Sequence, residues 1–265
     1  MSMSFSAGRP VHVSLGSYRR IPPAQAVARA LREHPSDPVL GPLSTDKLQL
    51  CPQNPGRLDV EFAQDLVRAY PGIEWRLHGN VQIDNHPRIV DLCDFREEYE
   101  WFAQVGRISA ALKAPVYTAH AGRSASATIH DVIDNARAIE QLIGMPVGIE
   151  GHYAQPHQGW LFCSWSEYGY LLETEAHYVI DLSHLHILAM RTDIIEWTMV
   201  EELLSNPRCL EVHLSDNNGK ADQHRPLSGP TWWLPLLPKI HPAATIFYEG
   251  RLSPAVSRPV PESSH

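Results

Sequence analysis

Short apolar runs alternate with amphipathic stretches along almost the whole chain. The runs at 11–15, 47–51, 73–78, 116–120, 147–150, 178–182, 209–214 and 245–249 read as eight short strands. Between them the spacing changes to that of helices at 24–33, 58–70, 95–112, 128–142, 164–173 and 193–204, with a shorter helical stretch at 232–240. Val60, Phe62, Leu66, Val67 and Tyr70, for example, fall on one helical face. Proline and glycine punctuate the pattern. Pro22-Pro23 opens the first helix, Pro71-Gly72 follows the second, Pro115 ends the third, Gly144 sits where a left-handed cap is expected, and Asn206-Pro207 closes the helix before the seventh strand.

Strands alternating with helices imply a parallel sheet, and eight such units in 265 residues imply closure into a single (β/α)₈ TIM barrel. The barrel is expected over 1–252, with 253–265, rich in Pro and Ser, as a fraying tail. The net charge of −8 argues against a broad phosphate-tracking surface, so nucleic acid is not the expected partner. Residues 1–10 lack the apolar core of a signal peptide, and no apolar run is long enough to span a membrane. Cys51, Cys93, Cys163 and Cys209 are far apart and read as reduced thiols. A cytoplasmic location is expected.

The 15 histidines change this picture, because several fall where a barrel places its chemistry, at the carboxyl ends of strands. The third strand ends at His78, the fourth at His120 and the fifth at Glu150. The sixth supplies Asp181, with His184 just beyond, and the eighth ends at Glu249. The seventh runs into the most informative stretch, from Glu211 to Leu227: His213 at the strand end, then Asp222 and His224 two residues apart on a polar loop. Two residues apart on an extended segment share a face. A lone histidine after a strand is usually a hydrogen-bonded structural residue, and a lone carboxylate there usually caps a helix. Five histidines and four carboxylates at one end of one barrel are harder to explain singly, because burying so many ionisable groups unpaired costs several kcal/mol each. Bound divalent metal ions are the usual remedy.

With those residues in view, the chain resembles the xylose-isomerase-like TIM barrels, also called the AP endonuclease family 2 superfamily. The resemblance rests on His213-Leu-Ser-Asp-Asn217 followed by Asp222-Gln-His-Arg-Pro-Leu227, and covers roughly residues 73–250. In endonuclease IV of that superfamily nine ligands in this strand order hold three zinc ions. Carried onto this chain, the resemblance implies His78, His120 and Glu150 on one metal, and Glu150 bridging to a second held also by Asp181, His213 and Glu249. His184, Asp222 and His224 would hold a third. Leu227-Ser228-Gly229-Pro230 stands where the superfamily often has a Gly-x-Gly-like turn. Trp232 and Trp233 follow, and are read as packing the helical stretch onto the barrel or lining a pocket.

The fold does not choose the reaction. The leading reading is a multinuclear non-heme iron oxidase acting on a peptide or small molecule. The chain resembles such enzymes at Leu77-His78-Gly79, Ala221-Asp222-Gln223-His224 and Trp233-Leu234, while those enzymes often have Asn at the place of His184. An alternative is a sugar or sugar-phosphate isomerase or epimerase with Glu150 and Glu249 moving protons beside a carbonyl. Such relatives do not generally need His78, His120, Asp222 and His224 all as ligands. A second alternative is an endonuclease IV-like phosphodiesterase, in which three divalent ions more than balance four carboxylates and leave charge for a hydroxide and a phosphate. The expected cofactor is two or three ions of iron, zinc or manganese. A barrel that binds metal or a partner without turnover is the non-enzymatic alternative.

Arg251, two residues past Glu249, is read as gripping a substrate anion at the catalytic site. Tyr117, His152, Ser215 and Asp216 are read as groups that orient the ligands, and 151–160 as a loop covering the mouth. His12, His34, His130, His157, His177 and His241 read as surface or structural residues, and His86 and His186 find no place.

Overall fold

The computed structural model describes residues 8–79, 83, 89–153, 155 and 157–252. His86, Ala154 and Pro156 of the expected covering loop, and the tail 253–265, lie outside the described residues.

Eight parallel strands close into a barrel: β1 (His12–Ser14), β2 (Ser44–Leu50), β3 (Glu74–His78), β4 (Tyr117–His120), β5 (Val147–Glu150), β6 (Tyr178–Asp181), β7 (Cys209–Leu214) and β8 (Thr245–Tyr248). Each strand pairs with its neighbours in sequence, and β1 closes the ring on β8 through His12 opposite Phe247 and Val13 opposite Tyr248. Helices α1 (Pro23–Glu33), α2 (Val60–Ala69), α3 (Tyr99–Leu112), α4 (Ile129–Ile143), α5 (Trp165–Leu172), α6 (Leu182–Thr192) and α7 (Trp197–Ser205) lie between them.

Three differences from the sequence reading are physical. Helix α6 was not expected: it starts directly after β6, because the Asp181 side chain accepts from the backbone N–H of Ser183 (2.6 Å) and His184 (3.1 Å) and so caps it at once. The stretch at 193–204 therefore begins at a left-handed Asp193 that ends α6, and is helical only from Trp197 onward, in the shorter α7. The stretch at 232–240 is a 3₁₀ segment, Leu234–Lys239, since Pro235 and Pro238 cannot supply the N–H groups of an α-helix. Within 35–42, Ser36–Asp37 pairs with Gly41–Pro42 as a small antiparallel ribbon. Trp233 is buried beside this 3₁₀ segment, and Trp232 is half-buried, its indole N–H donating to His186 Nδ1 at 3.1 Å. The two tryptophans thus pack the segment rather than stand free.

Caps set the loops that carry the site. Thr128 and Asp131 form a capping box on α4, and Ser164 and Glu167 form one on α5. Ser164→Ala is expected to lower stability by about 1 kcal/mol in urea unfolding, because it leaves the Glu167 N–H without its cap.

The barrel interior is polar beneath the mouth. Gln49, Arg76, Thr118, Glu211 and Thr245, from five strands, are all buried. Glu211 accepts from Gln49 Nε2 (2.9 Å) and Thr118 Oγ1 (3.3 Å), and pairs with Arg76 at 3.5 Å. Arg76 also donates to Thr245 Oγ1 at 3.1 Å. Gly148 is required in β5, since a Cβ there would lie 2.9 Å from Val179 Cγ2 and 3.1 Å from Thr118 Cγ2. The lower layer is thus filled by its neighbours, and the next inward residue of β5, Glu150, stands above it.

Candidate metal centre

Strand register alone brings most of the nine residues to one level. His120 pairs with Glu150 across β4 and β5, and Asp181 pairs with His213 across β6 and β7. Two loops bring the rest. Helix α6 begins inside the mouth and carries His184 in its first turn. The segment after β7 folds back on itself through paired backbone hydrogen bonds between Asp216 and Arg225 (2.9 and 2.8 Å). Asn217 Nδ2 ties it to the Ser183 carbonyl at 2.8 Å. His224 sits in the left-handed region at φ 45°, a conformation that costs a non-glycine residue about 1–3 kcal/mol and that recurs at functional sites.

Glu150 is the centre of the cluster. Its carboxylate faces His78 Nε2 at 3.2 Å, His213 Nδ1 at 3.4 Å, His120 Nε2 at 3.7 Å and His184 Nδ1 at 3.8 Å. Glu249 faces His213 Nδ1 and His224 Nδ1, both at 3.5 Å. Asp222 is 2.6 Å from His224 Nε2 and 3.8 Å from His184 Nε2, and Asp181 is 3.4 Å from His184 Nε2. All nine residues therefore meet in one continuous cluster, and only the His120 side chain is as much as a quarter exposed.

Three of the histidines are anchored through one ring nitrogen. His78 Nδ1 bonds Thr118 Oγ1 at 2.9 Å, and that hydroxyl donates onward to Glu211. His213 Nε2 faces Glu211 Oε2 at 3.2 Å, and His184 Nδ1 donates to the Gly151 carbonyl at 3.0 Å. Each anchor leaves the other ring nitrogen turned to the cluster, which is how outer partners orient metal-ligating imidazoles. Glu150 Oε2, His213 Nδ1 and Asp222 Oδ1 are buried there with no hydrogen-bond partner among the described residues. Orphaned donor and acceptor atoms of this kind are costly unless something bridges them.

Charge coupling is strong. Burial acts to raise the Glu150 carboxyl, but His213, His120 and His78 overcome it and hold it well below the ordinary carboxylate value. Burial acts to lower His184, but Asp181 and Asp222 outweigh it and push the imidazole up to about 10. His213 is raised well above the usual value as Glu150 and Glu249 overcome burial, and His224 is raised as Asp222 does the same. Burial, reinforced by His213, His120 and His184, takes His78 down to about 3 despite Glu150. Burial also raises Glu249 despite His213 and His224. Without a metal the cluster is thus a mesh of imidazolium–carboxylate pairs around a neutral His78.

The donor set fits divalent transition ions: neutral imidazole and carboxylate suit zinc, iron and manganese. His78, His120 and Glu150 offer donor atoms within 4.8 Å of one another, as do His78, His213 and Glu249, and Glu150, Asp181 and His184. The first group is the one the resemblance implied. Asp181 groups with His184 and Glu150, so the division among ions differs from the implied one.

Arg251 is exposed; its backbone N–H donates to the His224 carbonyl at 2.9 Å, and its side chain lines a rim cleft with Arg19, Arg20 and Gln53. His152 stacks on His120 with ring centroids 4.5 Å apart. Tyr117 is buried with its hydroxyl 3.4 Å from the Gly79 carbonyl. Ser215 is buried with its hydroxyl unpartnered among the described residues, and Asp216 holds the loop through Ser228 Oγ at 2.8 Å. His12 is buried, not at the surface, and burial first and then Lys47 take it down to about 4. His34, His130 and His157 are exposed, and His177 and His241 are partly so. Sequence reasoning missed Glu211, Gln49 and Thr118. Glu211 had a signal, since it lies two residues before His213 on the same strand and so shares its inward face.

No protein-family model matches the chain, and no curated protein sequence matches it. Solved structures do. A D-tagatose 3-epimerase-like protein aligns with TM-score 0.60 at 14% identity over 92% of this chain and 91% of its own. An AP endonuclease, family 2, from Brucella melitensis aligns with TM-score 0.61 at 13% identity over 91% and 93%. A D-allulose 3-epimerase from Methylomonas sp., solved in complex with D-allulose, aligns with TM-score 0.59 at 13% identity over 95% and 87%. The chain has the fold of the xylose-isomerase-like TIM barrels. Among the described residues, no helix is long and apolar enough to cross a membrane.

Proposed function

We propose that this barrel is a metal-dependent enzyme whose multinuclear centre is organised on Glu150, and that with iron it oxidises a peptide or small-molecule substrate. The observation that carries the multinuclear reading is the convergence of nine donors, with Glu150 facing four imidazoles at 3.2–3.8 Å. A single metal needs three or four protein ligands. Nine donors with anchored outer nitrogens support more than one ion. Five imidazoles among four carboxylates suit iron, and the net charge of −8 favours a substrate other than a polyanion.

His78, His120, Glu150, Asp181, His184, His213, Asp222, His224 and Glu249 would hold the ions. Bound iron supplies one-electron and dioxygen chemistry that no side chain here can. The protein's part is to orient. Thr118, Glu211 and the Gly151 carbonyl fix the rings of His78, His213 and His184. Burial of the floor keeps water from the inner face of the cluster. Arg251 at the rim would meet a substrate carboxylate or phosphate.

A second reading has specific support. Glu150 and Glu249 flank His213 Nδ1 at 3.4 and 3.5 Å, and their environments push them apart, Glu150 down and Glu249 up. Such a split suits a base and an acid on two sides of a carbon beside a carbonyl. Two of the similar folds are named as 3-epimerases or epimerase-like. The phosphodiesterase reading draws on the AP endonuclease fold alone.

Elemental analysis of protein purified without oxygen or chelator, with an optical spectrum after air exposure, separates these readings. The expected result is two to three irons per chain and a ligand-to-iron band appearing in air. Three zincs and a silent spectrum would transfer the reading to hydrolysis. One exchangeable manganese or magnesium would transfer it to the epimerase. Absence of bound metal and of uptake on titration would end the metal-dependent reading.

A further inference from the structure

Two residues outside the nine build, with His120, a second group of ligand atoms at the rim. Asp91, in the segment before α3, and His152, just past β5, offer donor atoms within 4.8 Å of one another and of His120. Asp91 and His152 are both more than nine-tenths buried, and His152 Nε2 has no hydrogen-bond partner among the described residues. A buried ring nitrogen so left is costly and marks a place where something binds.

The surroundings hold this geometry. His152 lies between two rings, stacked on His120 at 4.5 Å and 15° and on Trp160 at 4.0 Å and 19°. The Arg123 guanidinium covers Trp160 at 4.4 Å from the ring centre. The sandwich fixes the plane of His152 and hence the direction of Nε2. Backbone hydrogen bonds join the segments that carry the three residues: Cys93 N–H to the Ala121 carbonyl (3.0 Å), Leu161 N–H to the Gly122 carbonyl (3.0 Å), and Ala121 N–H to the Glu150 carbonyl (2.9 Å). Gly122, at φ 97°, makes the approach of the Asp91 segment possible, since a Cβ there would lie 3.0 Å from the Asp91 Cβ and closer still to Cys93 Sγ.

We propose that Asp91 and His152 form, with His120, a separate rim position for one divalent transition-metal ion. Two imidazoles and a carboxylate are a ligand set of such ions. His120 Nε2 also faces Glu150 at 3.7 Å, so the rim position adjoins the central cluster, and His120 would serve ions on both sides only as a deprotonated, bridging imidazolate. The inference deepens the proposed function and rests on it only through that residue.

Cobalt(II) titration of chelator-stripped, full-length protein tests this. Wild type is expected to take up one more equivalent per chain than Asp91→Asn or His152→Gln. His152→Cys is expected to keep the equivalent and to gain a thiolate-to-cobalt charge-transfer band absent from wild type, a signature no structural role of His152 produces. Equal stoichiometry in wild type, Asp91→Asn and His152→Gln, with no new band in His152→Cys, overturns the site. If the first two variants fail to fold by circular dichroism, the band in His152→Cys decides alone. Glu150→Gln separates this inference from the central reading: its loss of central ions should leave the equivalent that depends on Asp91 in place. If wild type binds only that equivalent, the rim site stands and the multinuclear reading falls.

Discussion

Glu150→Gln is expected to lower metal content by at least one ion per chain and to weaken the remaining affinity by more than the roughly 10- to 100-fold that follows loss of an outer partner. The amide keeps the size of the carboxylate but removes the charge that faces His78, His213, His120 and His184. It also cannot bridge two ions. Chelator competition, with elemental analysis beside it, measures both effects. Glu211→Gln is the matching control. Glu211 touches His213 from below and takes hydrogen bonds from Gln49 and Thr118, so its loss should fall within the outer-partner range. If the two variants weaken metal equally, Glu150 is no bridging ligand. Far-ultraviolet circular dichroism confirms that the barrel persists.

Removing metal should expose a steep loss of stability toward alkaline pH. In the metal-free protein His184 is raised from 6.5 to about 10 by Asp181 and Asp222 against the pull of burial. His213 and His224 are raised by Glu150, Glu249 and Asp222. A folded state that binds protons more tightly than the unfolded chain has its full advantage below the unfolded value near 6.5, and loses it as pH climbs through the folded value. Metal-free protein is therefore expected to weaken between pH 6.5 and about 10, by on the order of several kcal/mol, in urea titrations. On the acid side the groups oppose one another. His78, down at about 3, and His152, down at about 2, lose stability as pH falls below 6.5 because the unfolded chain takes up protons first. Loaded protein should lack the alkaline slope up to about 10, since ligated imidazoles are already deprotonated. A flat profile for metal-free protein over this range would contradict the imidazolium–carboxylate mesh.

How far the sequence reaches can be judged from particular residues. His78, His120, Glu150 and His213 were legible because a parallel strand ends where its apolar run ends, and in a barrel all such ends face one mouth. Asp222 and His224 were legible from the resemblance; the extended segment that their spacing assumed is absent, since His224 is left-handed at φ 45°. Helix α6 was not, because Leu182 to Leu188 carries apolar residues on more than one side and no loop precedes it. Its start depends on Asp181 capping the chain, a hydrogen bond that leaves no periodic trace. Asp91 was invisible for another reason. It caps a single 3₁₀ turn, Leu92–Asp94, too short to leave a periodic trace, and only the close approach at Gly122 brings it beside His120.

By itself the sequence determined the barrel, the end at which ionisable residues gather, and the residue types available there. Periodicity and strand order are local properties, and the fold follows from them once eight units must bury their faces together. The tertiary structure alone decided which nitrogen of each histidine turns inward, which carboxylate stands among four imidazoles, and that Glu211 and Gln49 support His213 from below. Those are contacts between residues up to 164 positions apart. They depend on strand register and on side-chain packing across the barrel, and no pattern along one chain segment encodes them.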